Sequence, residues 1–253
     1  MGGLPPAPVV RYGDDPEQLV NLHLPAASPP MGVVALVHGG FWRARWDRTL
    51  MTPLAVDLAR RGYAAWNVEF RRVGQPGGGW PGTVLDVRAA LDALASQPEL
   101  AGRRVVLVGH SSGGHLALAA ARGRSDVAAV VALAALTDLE QARELDAEAV
   151  DAFLGGPPER APAVHAEASP RASLPLGVRQ LLVHGEQDDV VPARMSAAYA
   201  EAARAAGDVV ELELLPRADH FDVIDPAHAA WSLAAAWIER ALGASACRAR
   251  GRS

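Results

Sequence analysis

The stretch Val105-Val106-Leu107-Val108-Gly109-His110-Ser111-Ser112-Gly113-Gly114-His115-Leu116 decides how this chain folds. Residues 105–108 are apolar, three of the four are β-branched, and they read as a buried strand. They run into Gly-x-Ser-x-Gly, after which Leu116-Ala117-Leu118-Ala119-Ala120-Ala121 reads as a helix. A serine on that pentapeptide, between a strand and a helix, stands at the apex of a tight and strained turn. Gly109 and Gly113 carry no Cβ, so strand and helix can approach closely on either side of it. The hydroxyl is lifted off the sheet, and the helix N-terminus turns its free N–H groups toward it. Gly-x-Ser-x-Gly arises by chance in a chain with 24 glycines, but chance does not also supply the flanking strand and helix.

Outward from this turn the same alternation recurs. Strands are expected at 9–12, 19–24, 33–37, 63–68, 128–134, 181–184 and 209–214, the first two at a sheet edge. A helix is expected over 47–61, with Leu50, Leu54 and Leu58 on one face and Gly62 ending it. Another follows the Gly-rich loop 71–82 and carries Val84, Val87, Leu91 and Leu94; a last one spans 226–241. Strands alternating with helices predict an α/β fold with a doubly wound, mostly parallel sheet. Residues 137–178 break the rhythm with Gly155-Gly156-Pro157-Pro158 and further prolines. They read as a small helical excursion over the sheet edge after the sixth strand, either a cap at a pocket mouth or a surface insertion. Residues 1–8 are rich in Pro and Gly and are expected to fray.

With 253 residues, half of them hydrophobic, a single domain over 1–253 is expected, with 137–178 as its insertion. All 24 basic residues are arginine, interspersed with acids, and the net charge is −5. That balance offers no footprint for nucleic acid or a membrane surface. Residues 1–15 lack the basic and apolar regions of a signal peptide, and the longest apolar run, 127–136, is too short to span a bilayer. The one cysteine, Cys247, can form no intrachain disulfide, so a cytoplasmic protein in a reducing compartment is expected. No metal-ligand spacing occurs and no Gly-x-Gly-x-x-Gly loop follows the first strand, so neither a metal nor a cofactor is expected.

A serine hydroxyl needs a base within hydrogen-bond reach, itself held by a third group. Where the serine sits on such a turn, an acid and then a histidine follow it along the chain. Of eight histidines, His23 and His165 miss every strand end, His38 and His184 belong to turns, and His110 and His115 flank the serine itself. His228 falls inside the last helix. His220 remains, in a loop between the last strand and the last helix. The acid is expected in His184-Gly185-Glu186-Gln187-Asp188-Asp189-Val190-Val191-Pro192, at Asp188, with Asp189 as its neighbour alternative and Asp138 as a weaker rival after the sixth strand. Its role is to fix the tautomer of the imidazole and stabilise the imidazolium.

Donors for a developing oxyanion are expected from the backbone N–H of Ser112 and from the turn after strand 33–37, where Gly40 and Phe41 are assigned. Trp42, Trp46 and Trp80 fall in loops on the C-terminal side of the sheet with Phe41 and Phe221 nearby, the side where open α/β sheets bind ligands. Trp42, Trp80 and Phe221 are therefore expected on the substrate pocket, whose aromatic lining suits an aryl or acyl group better than a polypeptide. Anchoring of a loop and a helix accounts equally well for Trp42 and Trp46. Arg71 or Arg72, following a strand end, is placed to meet a substrate carboxylate.

With these parts assembled, the chain resembles the α/β-hydrolases over roughly residues 9–242. Within that superfamily, His38-Gly39-Gly40-Phe41-Trp42 is similar to the His-Gly-Gly-x-Trp motif of the kynurenine formamidases (arylformamidases). The turn around Ser111 resembles theirs, although Ser112 stands where alanine is common, and Asp219-His220-Phe221 resembles their histidine loop. The resemblance implies a serine hydrolase that cleaves a small-molecule ester or amide (formamide) through an acyl-enzyme. A general short-chain carboxylesterase or a small prolyl-oligopeptidase-like peptidase would use the same parts, since a His-Gly-Gly-aromatic turn is common among bacterial esterases. A binding protein on a hydrolase scaffold fits less well, because every member of the expected triad is present.

Overall fold

The computed structural model describes residues 7–250, with side chains described through residue 243. Strands β1 (Val9–Arg11), β2 (Leu19–His23), β3 (Val33–Val37), β4 (Ala64–Val68), β5 (Val105–His110), β6 (Val127–Leu133), β7 (Arg179–Gly185) and β8 (Val210–Leu215) form one sheet. Their spatial order is β1-β2-β4-β3-β5-β6-β7-β8. β1 pairs antiparallel with β2 and β2 with β4, and the other neighbours run parallel. The connections carry α1 (Thr52–Arg60), α2 (Gly82–Asp92), α3 (Ser112–Ala121), α4 (Leu139–Leu145), α5 (Ala147–Leu154), α6 (Pro162–Ala168), α7 (Ala193–Ala205) and α8 (Ala229–Arg250).

The central strands are apolar throughout because both faces are covered. Val33, Ala35 and Val37 of β3 pack with Val105 and Leu107 of β5 into the layer that contains α2, α3 and α7. Val34, Leu36, Val106 and Val108 point the other way, toward Leu54 and Leu58 of α1 and Trp231 and Ile238 of α8. Each fully buried side chain of this size contributes about 1.5–3 kcal/mol. The indole N–H of Trp231 donates to Asp57 Oδ2 at 2.6 Å and ties α8 to α1 on the outer face.

Several boundaries differ from the sequence reading for identifiable reasons. β2 is not an edge strand: β4 lies on its far side, and β8 forms the second edge. Its alternating pattern reports a half-covered face, which an interior strand of a meander also has. Residues 48–51 form a 3₁₀ turn rather than the first turn of α1. Asp47 caps that turn by accepting from Thr49 N at 2.8 Å, and Pro53 opens α1 proper. α8 begins at Ala229, leaving His228 outside it, and continues to Arg250. The segment after β6 carries α4, α5 and α6 as expected, but it does not stand over a sheet edge. Phe153 of α5 stacks on Trp42 at 4.2 Å between centroids and accepts from Trp80 N at 2.7 Å, which brings α5 over the loops that follow β3 and β4. The fraying expected at the N-terminus falls mostly on residues 1–6, outside the described residues, as does the side chain of Cys247. Among the described residues no helix is long and apolar enough to cross a membrane.

The turn into α3 leaves no room for a side chain. A Cβ on Gly113 would lie 2.3 Å from the carbonyl oxygens of both Val37 and His38, backbone atoms held by the sheet. Gly113→Ala should therefore cost at least the ~3 kcal/mol at the upper end of overpacking effects, read as a lower urea midpoint at unchanged m-value.

Candidate active site

β5 delivers Ser111 and α3 begins at the next residue. Ser111 has φ 55° and ψ −122°, a conformation that L-residues rarely adopt and that persists only where the surroundings impose it. They do so through four backbone hydrogen bonds. Ser111 N donates to Leu133 O at 2.8 Å, and Ser111 O accepts from Gly114 N at 2.9 Å, His115 N at 3.3 Å and Leu136 N at 3.2 Å. The serine is thus pinned to the end of β6 as well as to its own helix.

Asp188 and His220 meet although 32 residues separate them in sequence, with His220 Nδ1 2.7 Å from Asp188 Oδ2. The other oxygen, Oδ1, accepts from the backbone N–H groups of Val190 at 2.9 Å and Val191 at 2.7 Å. Oδ2 also receives His184 Nε2 at 3.1 Å, and that nitrogen lies 2.8 Å from Val191 O. His184 Nδ1 is in turn 2.7 Å from Ser196 Oγ of α7. Burial works to raise the Asp188 carboxyl, but the hydrogen bonds from His184, His220 and the Val191 amide prevail and hold it well below the usual range. An ionised carboxylate only accepts, so His220 carries its proton on Nδ1 and leaves Nε2 for proton transfer.

Asp189 makes no contact with His220, and Asp138 serves elsewhere. It caps α4 through Glu140 N at 3.0 Å and pairs with Arg171 Nη1 at 3.0 Å. His184 is the residue the sequence reading passed over as part of a turn. Its spacing of four from Asp188 at a strand end was the available signal.

His110, next to Ser111 in the chain, packs on His220. Its Nε2 donates to His220 O at 2.9 Å, and the ring centroids lie 4.7 Å apart. Complete burial, reinforced by the neighbouring His220, lowers it to about 3. It is a neutral ring that braces the backbone of His220 without adding charge beside it. His115, on α3, is equally buried and is lowered by that burial to about 4, with Nε2 donating to Ala168 O at 2.9 Å.

Ser111 and His220 line one cavity of about 260 Å³, together with Gly40, Phe41, Trp46, Leu50, Val190 and Phe221. No hydrogen bond of the Ser111 hydroxyl exists among the described residues. Before substrate binds, such contacts in hydrolytic sites are often long. The backbone N–H groups of Gly40, Phe41 and Ser112, the three assigned oxyanion donors, donate to no group among the described residues. Gly40 has φ 117°, Phe41 50° and Trp42 57°, a run of left-handed backbone that turns the chain back under the cavity. The turn rests on a buried carboxylate: Glu69 Oε1 lies 3.0 Å from His38 Nε2 and 3.0 Å from Arg72 Nη1, and Oε2 accepts from Arg48 N at 2.9 Å.

Four expected substrate contacts lie elsewhere. Trp42 is 1% exposed and stacked on Phe153, so it anchors the turn from within the core. Trp80 lies beside α2 and α3 in a groove with Leu118 and Arg122, away from Ser111. Arg71 forks onto Asp86 at 2.8 and 2.7 Å, and Arg72 is buried between Glu17 and Glu69. Neither arginine lines the cavity; Arg43 and Arg45 do. Phe221 is on the cavity wall, 47% exposed at its mouth. Among the described residues no group of three or more His, Cys, Asp or Glu side chains is placed to hold a metal ion.

Comparison with known proteins agrees with this architecture. Esterase LipC of Mycobacterium tuberculosis is 30% identical, in an alignment that covers 86% of this chain and 60% of that protein. The chain thus spans less than two thirds of the length of that relative. Esterase B from Lactobacillus rhamnosis superposes with a TM-score of 0.81 at 21% identity, over 97% of this chain and 88% of the other. A truncated carbohydrate esterase from gut microbiota gives 0.79 at 20% identity, over 93% and 95%. These likenesses place the fold among the α/β-hydrolases. The BD-FAE model matches residues 20–202, from β2 into α7 and across both Ser111 and Asp188. The chain belongs to the BD-FAE family, an α/β-hydrolase esterase family.

Proposed function

We propose that the protein is a serine esterase that cleaves a small acyl or aryl ester through an acyl-enzyme at Ser111. The observation that carries this reading is the clamp of Asp188 on His220, with His220 and Ser111 on the wall of one small cavity. The ester carbonyl oxygen enters among the N–H groups of Gly40, Phe41 and Ser112, which have no partner among the described residues. Ser111 Oγ attacks the carbonyl carbon while His220 Nε2 takes its proton, and Asp188 stabilises the imidazolium. The tetrahedral adduct collapses, the C–O bond to the alcohol breaks, and His220 returns the proton to the leaving oxygen. Water repeats the sequence on the acyl-enzyme and frees the acid and Ser111.

The formamidase reading uses the same machinery on a C–N bond and rests on His38-Gly39-Gly40-Phe41-Trp42. The tryptophan of that motif is buried against Phe153, so here it supports a loop geometry that esterases share rather than an aryl substrate. Membership of an esterase family favours the ester. The cavity of about 260 Å³ suits a small acyl or aryl group and disfavours a polypeptide. On wild-type protein, kcat/KM for p-nitrophenyl acetate should exceed that for N-formylkynurenine and for aminoacyl amides; the reverse order would transfer the assignment to the formamidase or peptidase reading.

Ser111→Ala should lower kcat on p-nitrophenyl acetate by at least ~10³-fold, leave the circular dichroism spectrum intact and abolish labelling by a fluorophosphonate. Retained labelling elsewhere with retained turnover would remove Ser111 from the mechanism.

Asp188→Asn should lower kcat by about 10³–10⁴-fold through the wrong imidazole tautomer. The same variant has a pH signature in stability. Asp188 is held below the ~3.9 of a free aspartate, so the unfolded chain binds this proton more readily than the folded one. Its contribution is full above about pH 4 and is lost as the pH falls through the folded value. The urea midpoint of Asp188→Asn should lie below that of wild type at pH 7, with the gap closing in acid; a gap that widens in acid would contradict the assignment.

A further inference from the structure

We propose that the cavity over Ser111 is built for esters that carry an anionic group, a carboxylate above all, and that Arg45 binds that group. The inference rests on the esterase reading and names its substrate class. Three charged side chains line the cavity: Arg43, Arg45 and Asp146. Two of them neutralise each other, since Arg43 Nη2 lies 2.9 Å from Asp146 Oδ2 and 3.1 Å from Oδ1. Asp146 is further committed to capping α5, accepting from Ala149 N at 2.9 Å.

Arg45 has no counter-ion among the described residues, and no hydrogen bond engages its guanidinium. Instead its Cζ stands 5.9 Å from the centroid of the Trp46 ring. That ring belongs to the cavity wall and presses on the oxyanion turn, for a Cβ on Gly40 would lie 2.4 Å from Trp46 Cδ1. One indole ring therefore separates the guanidinium from an assigned oxyanion donor. The indole face orients the cation through a cation–π contact and leaves its edge N–H groups free.

A guanidinium held in this way presents a planar fork that matches a carboxylate and stays charged at every working pH. Arg45 is exposed, so water satisfies it in the free protein and an incoming carboxylate has only to displace that water. Phe41, Trp46 and Phe221 give the wall three aromatic side chains, beside the aliphatic Leu50 and Val190. An ester whose carbonyl sits at Ser111 and whose aryl ring lies against those side chains points a substituent across the ring toward Arg45. Hydrolysis of such an ester releases a hydroxyaryl acid that keeps its carboxylate. The chain as a whole carries −5, so this cation is a local reversal at the mouth of the site.

The probes are 4-acetoxybenzoate and its uncharged counterpart 4-acetoxybenzamide, which share the acyl group and the ring. In wild type, Arg45→Gln and Arg45→Glu, the readout is the ratio of kcat/KM for the anionic ester to that for the neutral one. Arg45→Gln should lower this ratio by about fivefold, the upper end for one exposed ion pair, through KM, and Arg45→Glu should lower it further. About 0.5 M sodium chloride should erode the wild-type ratio and leave that of Arg45→Gln unchanged. Equal ratios in the three proteins would overturn the proposal. If neither ester is hydrolysed, the esterase reading has failed, and calorimetric binding of 4-hydroxybenzoate against 4-hydroxybenzamide reads the Arg45 site alone. Charge-selective binding lost in Arg45→Glu supports it, and equal binding of the two ligands overturns it.

Discussion

A single buried carboxylate governs the arrangement of this site. Asp188 accepts from two backbone amides on one oxygen and from two imidazoles on the other. The four donors come from three pieces of local structure: the loop after β7, which gives both amides, the end of β7 itself, and the distant loop that carries His220. An ion in a setting of low polarisability is tolerable only when its lone pairs are filled, and here they are filled by the groups whose positions matter. The orientation of His220 is therefore a by-product of solvating Asp188, and His184 shares that work from a position that never reaches the cavity.

A second buried carboxylate performs a parallel service on the opposite wall. Glu69, at the end of β4, gathers His38, Arg72 and the amide of Arg48 around it. His38 heads the turn in which Gly40, Phe41 and Trp42 bear positive φ angles. A strained turn of this kind needs fixed ends, and the ion cluster holds one end while the stack of Trp42 on Phe153 holds the other. Burial pulls the Glu69 carboxyl upward, yet its bond with His38 and the neighbouring Arg72 keep it below the usual range. Charge at this position is a structural element of the loop.

Local signals in the sequence report local structure well and long-range partnership poorly. The apolar run 105–108, the glycines around Ser111 and the breaker pattern before β3 mark out the sheet and the serine turn, because strand burial and tight turns are dictated by neighbours in the chain. The pairing of Asp188 with His220 was accessible through chain order and loop position. What escaped were assignments that depend on which side of a loop a side chain faces. Trp42 and Trp80 are aromatic residues in the right loops, but α5 arrives from another part of the chain and claims both. Arg71 and Arg72 follow the right strand, yet Asp86, Glu17 and Glu69 take them first. β2 was misplaced for a related reason: alternation along a strand says how many faces are covered, and says nothing about how many neighbours it has.

The contact between α5 and the turn after β3 changes how the helical excursion is to be understood. Phe153 is wedged against Trp42, and its carbonyl holds the amide of Trp80, so the excursion is mortised into the wall that carries the turn of Gly40 and Phe41. A segment joined in that manner cannot swing aside without dragging the turn with it and displacing the amides of Gly40 and Phe41. Phe221, by contrast, is half-exposed on the cavity wall, its ring beside those of His220 and His110. The excursion is masonry, a fixed course in the wall of the chamber.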